Sequence, residues 1–127
     1  IAAVAIISSG GSAMADTYQC KVLGKYTNGW ILPGYLIEYQ PGAKAISVKT
    51  FTEDGQQYGN ITGRVVSDTA KQLAGMFIWK NARSQRGPVR IRYRAKLNKT
   101  NMRFSVSAMV GQGGQIENGR GSCKRVS

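Results

Sequence analysis

The chain has 127 residues, 42% hydrophobic and 19% charged, with 18 Lys and Arg against 6 Asp and Glu, for a formal net charge of +12. That size and balance fit one ordinary globular domain and exclude a long disordered or membrane-embedded chain. The sequence has no His; this removes the commonest general base, triad proton shuttle and transition-metal ligand, and two cysteines alone cannot close a zinc site.

Residues 1–15, IAAVAIISSGGSAMA, carry no charge, begin apolar and end in small residues at Ala13-Met14-Ala15. They read as the rear of a signal peptide with cleavage after Ala15. A buried strand, a short helix or an uncleaved anchor are the alternatives. Residues 16–127 then form a single β domain that is periplasmic or secreted. Cys20 stands near the start of that domain and Cys123 near its end. In an oxidising compartment such a pair is expected to form one disulfide between the first and last strands. No C-x-x-C spacing supports a redox role.

From Thr17 onward, short runs rich in β-branched and aromatic residues alternate with Gly, Asn, Asp and Pro clusters. Sixteen glycines against three prolines suit many tight turns. The expected strands are Thr17–Leu23, Tyr35–Tyr39, Ala45–Phe51, Ile61–Val66, Leu73–Lys80, Val89–Leu97, Met102–Val110 and Gly119–Val126. One helical turn is expected at Ser67–Gln72, and the polar stretch Asn81–Pro88 reads as a loop. About eight short strands at regular spacing predict an all-β fold, either a small antiparallel meander barrel of calycin-like type or a sandwich, closed by one disulfide.

Periodicity is clearest in the sixth run. Val89, Ile91, Tyr93, Ala95 and Leu97 alternate with Arg90, Arg92, Arg94 and Lys96. A strand sends these sets to opposite faces, giving a core side and a ladder of four cations. The seventh run repeats the pattern, with Met102, Phe104, Val106, Ala108 and Val110 against Arg103, Ser105, Ser107 and Met109. A turn at Asn98–Asn101 would set Leu97 opposite Met102 and Lys96 opposite Arg103.

Between Thr69 and Ile116 there is no acid, while Lys71, Lys80, Arg83, Arg86, Arg90, Arg92, Arg94, Lys96, Lys99 and Arg103 are all cationic. Such a one-sided stretch suggests docking of an anionic envelope component: lipopolysaccharide, anionic lipid or acidic polysaccharide. Arg90, Arg92, Arg94, Lys96 and Arg103 would form the grip and Arg83 and Arg86 the rim. The competing reading is a solvated face that keeps the protein soluble. Specific nucleic-acid binding is not expected, because Tyr93 and Phe104 fall on the apolar face, away from the cations. A different class of function is a small-ligand barrel whose interior contacts would be Trp30, Tyr35, Phe77 and Trp79. A third is an envelope structural or inhibitor protein acting through protein contacts.

Other patterns carry less. Gly111-Gln112-Gly113-Gly114 lacks the GK[ST] of a phosphate loop and reads as a hairpin loop. Glu53-Asp54-Gly55 is first a turn signal rather than a cation site. Asn60-Ile61-Thr62 and Asn98-Lys99-Thr100 match the glycosylation acceptor pattern. With six acids, no His and no catalytic motif, neither an enzyme, a cofactor nor a metal is expected.

Two resemblances are local. The segments Cys20-Lys21-Val22-Leu23-Gly24-Lys25-Tyr26-Thr27-Asn28 and Phe77-Ile78-Trp79-Lys80-Asn81 look like the first and fifth strands of avidin-type biotin barrels. The tryptophans those proteins carry in their later strands are missing here, so biotin binding is not implied. Tyr18-Gln19-Cys20 together with Cys123 resembles the layout of periplasmic inhibitors of c-type lysozyme, which are small disulfide-closed barrels. That family's Ser-Gly-x-x-Tyr loop has no counterpart, Ile61-Thr62-Gly63-Arg64 being a poor substitute. A strongly cationic inhibitor of a cationic enzyme is also an electrostatic mismatch. The chain is assigned to neither family.

Overall fold

A computed structural model describes residues 16–24, 30–84, 87–111 and 116–126, of which 81–84 are described by backbone alone. The expected signal segment 1–15 and the glycine loop 112–115 lie outside the described residues. Eight antiparallel strands follow in chain order: β1 (Asp16–Val22), β2 (Gly34–Tyr39), β3 (Ala45–Phe51), β4 (Gln57–Asp68), β5 (Gln72–Ser84), β6 (Gly87–Asn98), β7 (Arg103–Val110) and β8 (Ile116–Arg125). Each pairs with the next and β8 pairs with β1, so the meander closes into a barrel and leaves no open sheet edge. The closing ladder sets Cys20 opposite Cys123, and the two are joined by a disulfide across the seam.

Period-two alternation builds the core. Tyr18, Cys20 and Val22 of β1, Tyr35, Ile37 and Tyr39 of β2, and Ile91, Tyr93, Ala95 and Leu97 of β6 all point inward and are buried. Phe77 stacks on Tyr93 with ring centroids 4.9 Å apart, and Tyr35 tilts against Phe104 at 5.7 Å. Each such ring removes a large apolar area from water, and truncating one to Ala in a packed core costs about 3–5 kcal/mol. Apolar side chains fill the inside, and the outside is mostly polar with scattered apolar residues such as Val66 and Ile116.

Glycine makes part of this packing possible. Ile31, from the segment leading into β2, is buried inside the barrel beside Gly119 of β8; a Cβ at Gly119 would lie 2.7 Å from Ile31 Cγ2 and 3.1 Å from Val22 Cγ1. The segment is pinned from three sides. Tyr93 Oη donates to Trp30 O at 2.9 Å, Leu32 N donates to Tyr35 Oη at 3.0 Å, and Trp30 N donates to Glu117 Oε1 at 2.6 Å. Burial pushes both phenols above their ordinary pKa, so they stay neutral.

The local readings differ from the structure in three places. No helical turn forms at Ser67–Gln72. Ser67 and Asp68 belong to β4, and Thr69 Oγ1 accepts from Lys71 N at 3.2 Å and from Gln72 N at 3.0 Å. The side-chain chemistry that caps a helix closes a strand-to-strand turn equally well, and tertiary pairing decides between them. The expected loop Asn81–Pro88 is mostly ladder, since Ala82, Arg83 and Ser84 pair with Val89, Pro88 and Gly87 beyond a bulge after Trp79. Backbone pairing continues there without needing an apolar pattern. Finally, the β6–β7 turn sits one residue later than expected. Asn98 Oδ1 accepts from Thr100 N and Asn101 N, and Met102 adopts φ 60°. Leu97 therefore faces Phe104 and Lys96 faces Ser105. A register change of two preserves faces, so every side chain keeps its expected side.

Candidate anion-docking face

The outer surface of β4–β8 is built from lateral rows. Cross-strand pairing aligns Arg64, Met76, Arg94, Ser107 and Asn118 in one row. The next row holds Ala74, Lys96, Ser105 and Arg120, and another holds Ile78, Arg92, Met109 and Ile116. Adjacent strands lie about 4.8 Å apart and alternate residues of one strand about 7 Å apart, so neighbouring cations share one continuous surface. Arg90, Arg92, Arg94 and Lys96 are exposed, as is Arg103. The alternation seen in the sequence thus produces the cationic ladder it implies.

Carboxylates do not neutralise this ladder. The ion pairs among the described residues join Lys49 to Glu38, Lys99 to Asp68 and Arg125 to Asp16, and none involves Arg90, Arg92, Arg94, Lys96 or Arg103. Glu117 is the one acid of β8; it holds the backbone of Trp30 instead of reaching the cations. Four like charges at such spacing repel modestly in water, by roughly 0.6 kcal/mol per neighbouring pair before salt screening. An anionic surface removes that cost and adds attraction.

Not every expected contributor can be placed. Arg86 lies outside the described residues, and of Arg83 only the backbone is described, in β5 opposite Pro88. Two cations that sequence reading omitted join the face: Arg64 on β4 and Arg120 on β8. Their signal was weak, because each lies in a run without strict alternation; the cross-strand register of β4–β5–β6 and of β6–β7–β8 aligns them with the ladder. The apolar members Ala74, Met76 and Ile78 are half-buried between cations, making the face amphipathic.

The residues suggested as interior ligand contacts lie elsewhere. Tyr35 and Phe77 are fully buried in ring-to-ring packing. Trp30 and Trp79 are half-buried at the end of the barrel where β1 ends and β2 begins, edge to face at 6.4 Å, with Tyr58 edge-on to Trp79 at 4.9 Å. Among the described residues, no group of three or more His, Cys, Asp or Glu side chains comes together as a metal would require. Comparison with family models, curated proteins and solved structures gives no match.

Proposed function

We propose that this is an exported, periplasmic or secreted, non-enzymatic binding protein whose basic β6–β7 face docks an anionic component of the cell envelope, either lipid or acidic polysaccharide. The disulfide-closed seam suits an oxidising compartment. The observation that carries the reading is the cation ladder of Arg90, Arg92, Arg94 and Lys96, exposed on one strand face and left unpaired by the ion pairs among the described residues. Arginine suits this role because its planar fork grips phosphate and carboxylate oxygens two at a time.

Such docking releases counterions and is therefore steep in salt. Binding of the purified protein to anionic and neutral liposomes, lipopolysaccharide, heparin and DNA is measured across a salt series. The expected result is binding to an envelope anion that survives physiological salt. Reversing two ladder charges, Arg92→Glu with Arg94→Glu, should weaken it by at least about tenfold and flatten the salt dependence. Weak, equal binding to every polyanion that vanishes with salt would reduce the charge to a solubility feature.

A further inference from the structure

Within the cationic face, one position differs from a plain charge ladder. Ser105 of β7 lies directly between Lys96 of β6 and Arg120 of β8, its two cross-strand partners. Arg103, two residues earlier on β7, projects from the same face. The side chains of β6 and β8 are long and that of Ser105 is short, so the three strands form a trough. Lys96, Arg103, Ser105 and Arg120 line a single groove of about 600 Å³, together with Ser122 and Leu23. Three cations from three adjacent strands thus surround two exposed hydroxyls, Ser105 at the centre and Ser122 opposite Arg103.

Charge stoichiometry and donor geometry select among anions. A carboxylate carries one charge and would leave two of the three cations unneutralised. A phosphomonoester carries about −1.5 to −2 at neutral pH and presents three terminal oxygens. Two guanidinium forks, one ammonium and two hydroxyls supply donors for all three. The trough also has apolar flanks. Leu23, whose amide donates to Arg120 O, is 56% exposed, and Val66, 60% exposed, lines the adjoining groove with Ala74 and Met76. A free phosphate has no use for such flanks, whereas a phosphorylated amphiphile presents apolar matter beside its headgroup.

We infer that the trough centred on Ser105 is a headgroup site for a lipid-borne phosphomonoester, with Lys96, Arg103 and Arg120 gripping its oxygens and the Ser105 hydroxyl donating to one of them. This rests on the docking reading above and specifies the anion that the face selects.

The test uses two vesicle populations in the same neutral phosphatidylcholine matrix, one carrying phosphatidic acid and one carrying oleic acid at a content that gives equal surface potential. At physiological salt the protein should bind the phosphatidic acid vesicles about tenfold tighter, since the extra charge-assisted bonds form only with the phosphate. Arg120→Gln should erase most of that preference and Ser105→Ala should reduce it several-fold, whereas Lys44→Gln, the same charge change far from the trough, should leave it intact. Inorganic phosphate at millimolar concentration should compete poorly. Equal binding to both vesicle types, still abolished by the Arg92→Glu and Arg94→Glu pair, would overturn the phosphomonoester site and leave the docking face standing. A preference that Arg120→Gln and Ser105→Ala both preserve would overturn the site as well. Efficient competition by inorganic phosphate would overturn its assignment to a lipid. No binding to either vesicle, even at low salt, would overturn the phosphomonoester site and the lipid form of the docking reading, and binding to heparin or lipopolysaccharide would then decide whether the face docks a polysaccharide instead.

Discussion

Thr50 on β3 shows how a single atom can weigh on this barrel. Its side chain is fully buried among apolar neighbours, and among the described residues its Oγ1 finds no hydrogen-bond partner. A buried hydroxyl that has lost its water and gained nothing in return costs about 1–3 kcal/mol. Valine has the same branched shape without the polar atom, and it favours strands as strongly. Thr50→Val should therefore raise unfolding stability by about 1 kcal/mol, read as a higher urea midpoint with an unchanged slope. A lower midpoint would show that the hydroxyl is satisfied in solution. The same reasoning explains why the buried phenols Tyr35 and Tyr93 cost little: each has a backbone partner in the segment leading into β2.

At the scale of elements, three loops meet where β2, β4 and β6 end. Lys99 Nζ donates to Asp68 Oδ1 at 2.8 Å and to Thr69 O at 2.9 Å, while Tyr39 Oη and Gly42 N each approach the Asp68 carboxylate at 3.4 Å. Asp68 thus ties the β2–β3, β4–β5 and β6–β7 turns together. The Lys99 ammonium, helped by Gly42 and Tyr39, holds the Asp68 carboxyl below its ordinary range. Burial works against Lys99, but bonding to Asp68 and Tyr39 outweighs it and raises that group. For a carboxyl with a lowered folded pKa, the stabilisation is present above the unfolded value and is lost as pH falls through the folded one. Asp68→Asn should cost about 0.5–1 kcal/mol at pH 7, a difference that disappears toward pH 3 or below. Thermal melts of both proteins at the two pH values check it; a gap that is constant with pH would refute the latch.

This latch was illegible in the sequence, where Asp68 looked like the start of a helical turn and Lys99 like one more cation. What was legible was whatever depends on period two. The alternation from Val89 to Leu97 set the faces of β6 correctly, and the terminal positions of Cys20 and Cys123 foretold the seam. Register depends on turn chemistry instead, and the left-handed Met102 moved the β6–β7 turn by one residue in a way no alternation reveals. Arg64 and Arg120 escaped notice for a related reason. Their place in the ladder's rows is a product of register across β5 and β7, which a strand-by-strand reading does not supply.

At the scale of the whole molecule, the arrangement of charge matters more than its sum. In a closed eight-stranded meander, β3 lies diametrically opposite β7 and three strands away from β6, on the far half of the barrel from both. The exposed Lys44, just before β3 and beside the outlying Arg64 of β4, and the β3 residue Lys49 therefore lie three strands from the β6 ladder, and Lys49 is paired with Glu38. The double reversal Lys44→Glu with Lys49→Glu lowers the formal net charge of +12 by four, the same change made by Arg92→Glu with Arg94→Glu. If net charge alone drew the protein to anionic surfaces, the two variants would weaken equally. An oriented face predicts otherwise. The potential of a membrane decays within about 8 Å at physiological ionic strength, while a small barrel is more than twice that across, so charges on the far side contribute little once the near face has docked. The far-side variant should keep binding to anionic vesicles within about threefold of the parent, against a loss of at least about tenfold for the ladder variant, and the gap should widen as salt is raised from 50 to 200 mM. Equal losses at every salt concentration would mean that the barrel has no preferred face.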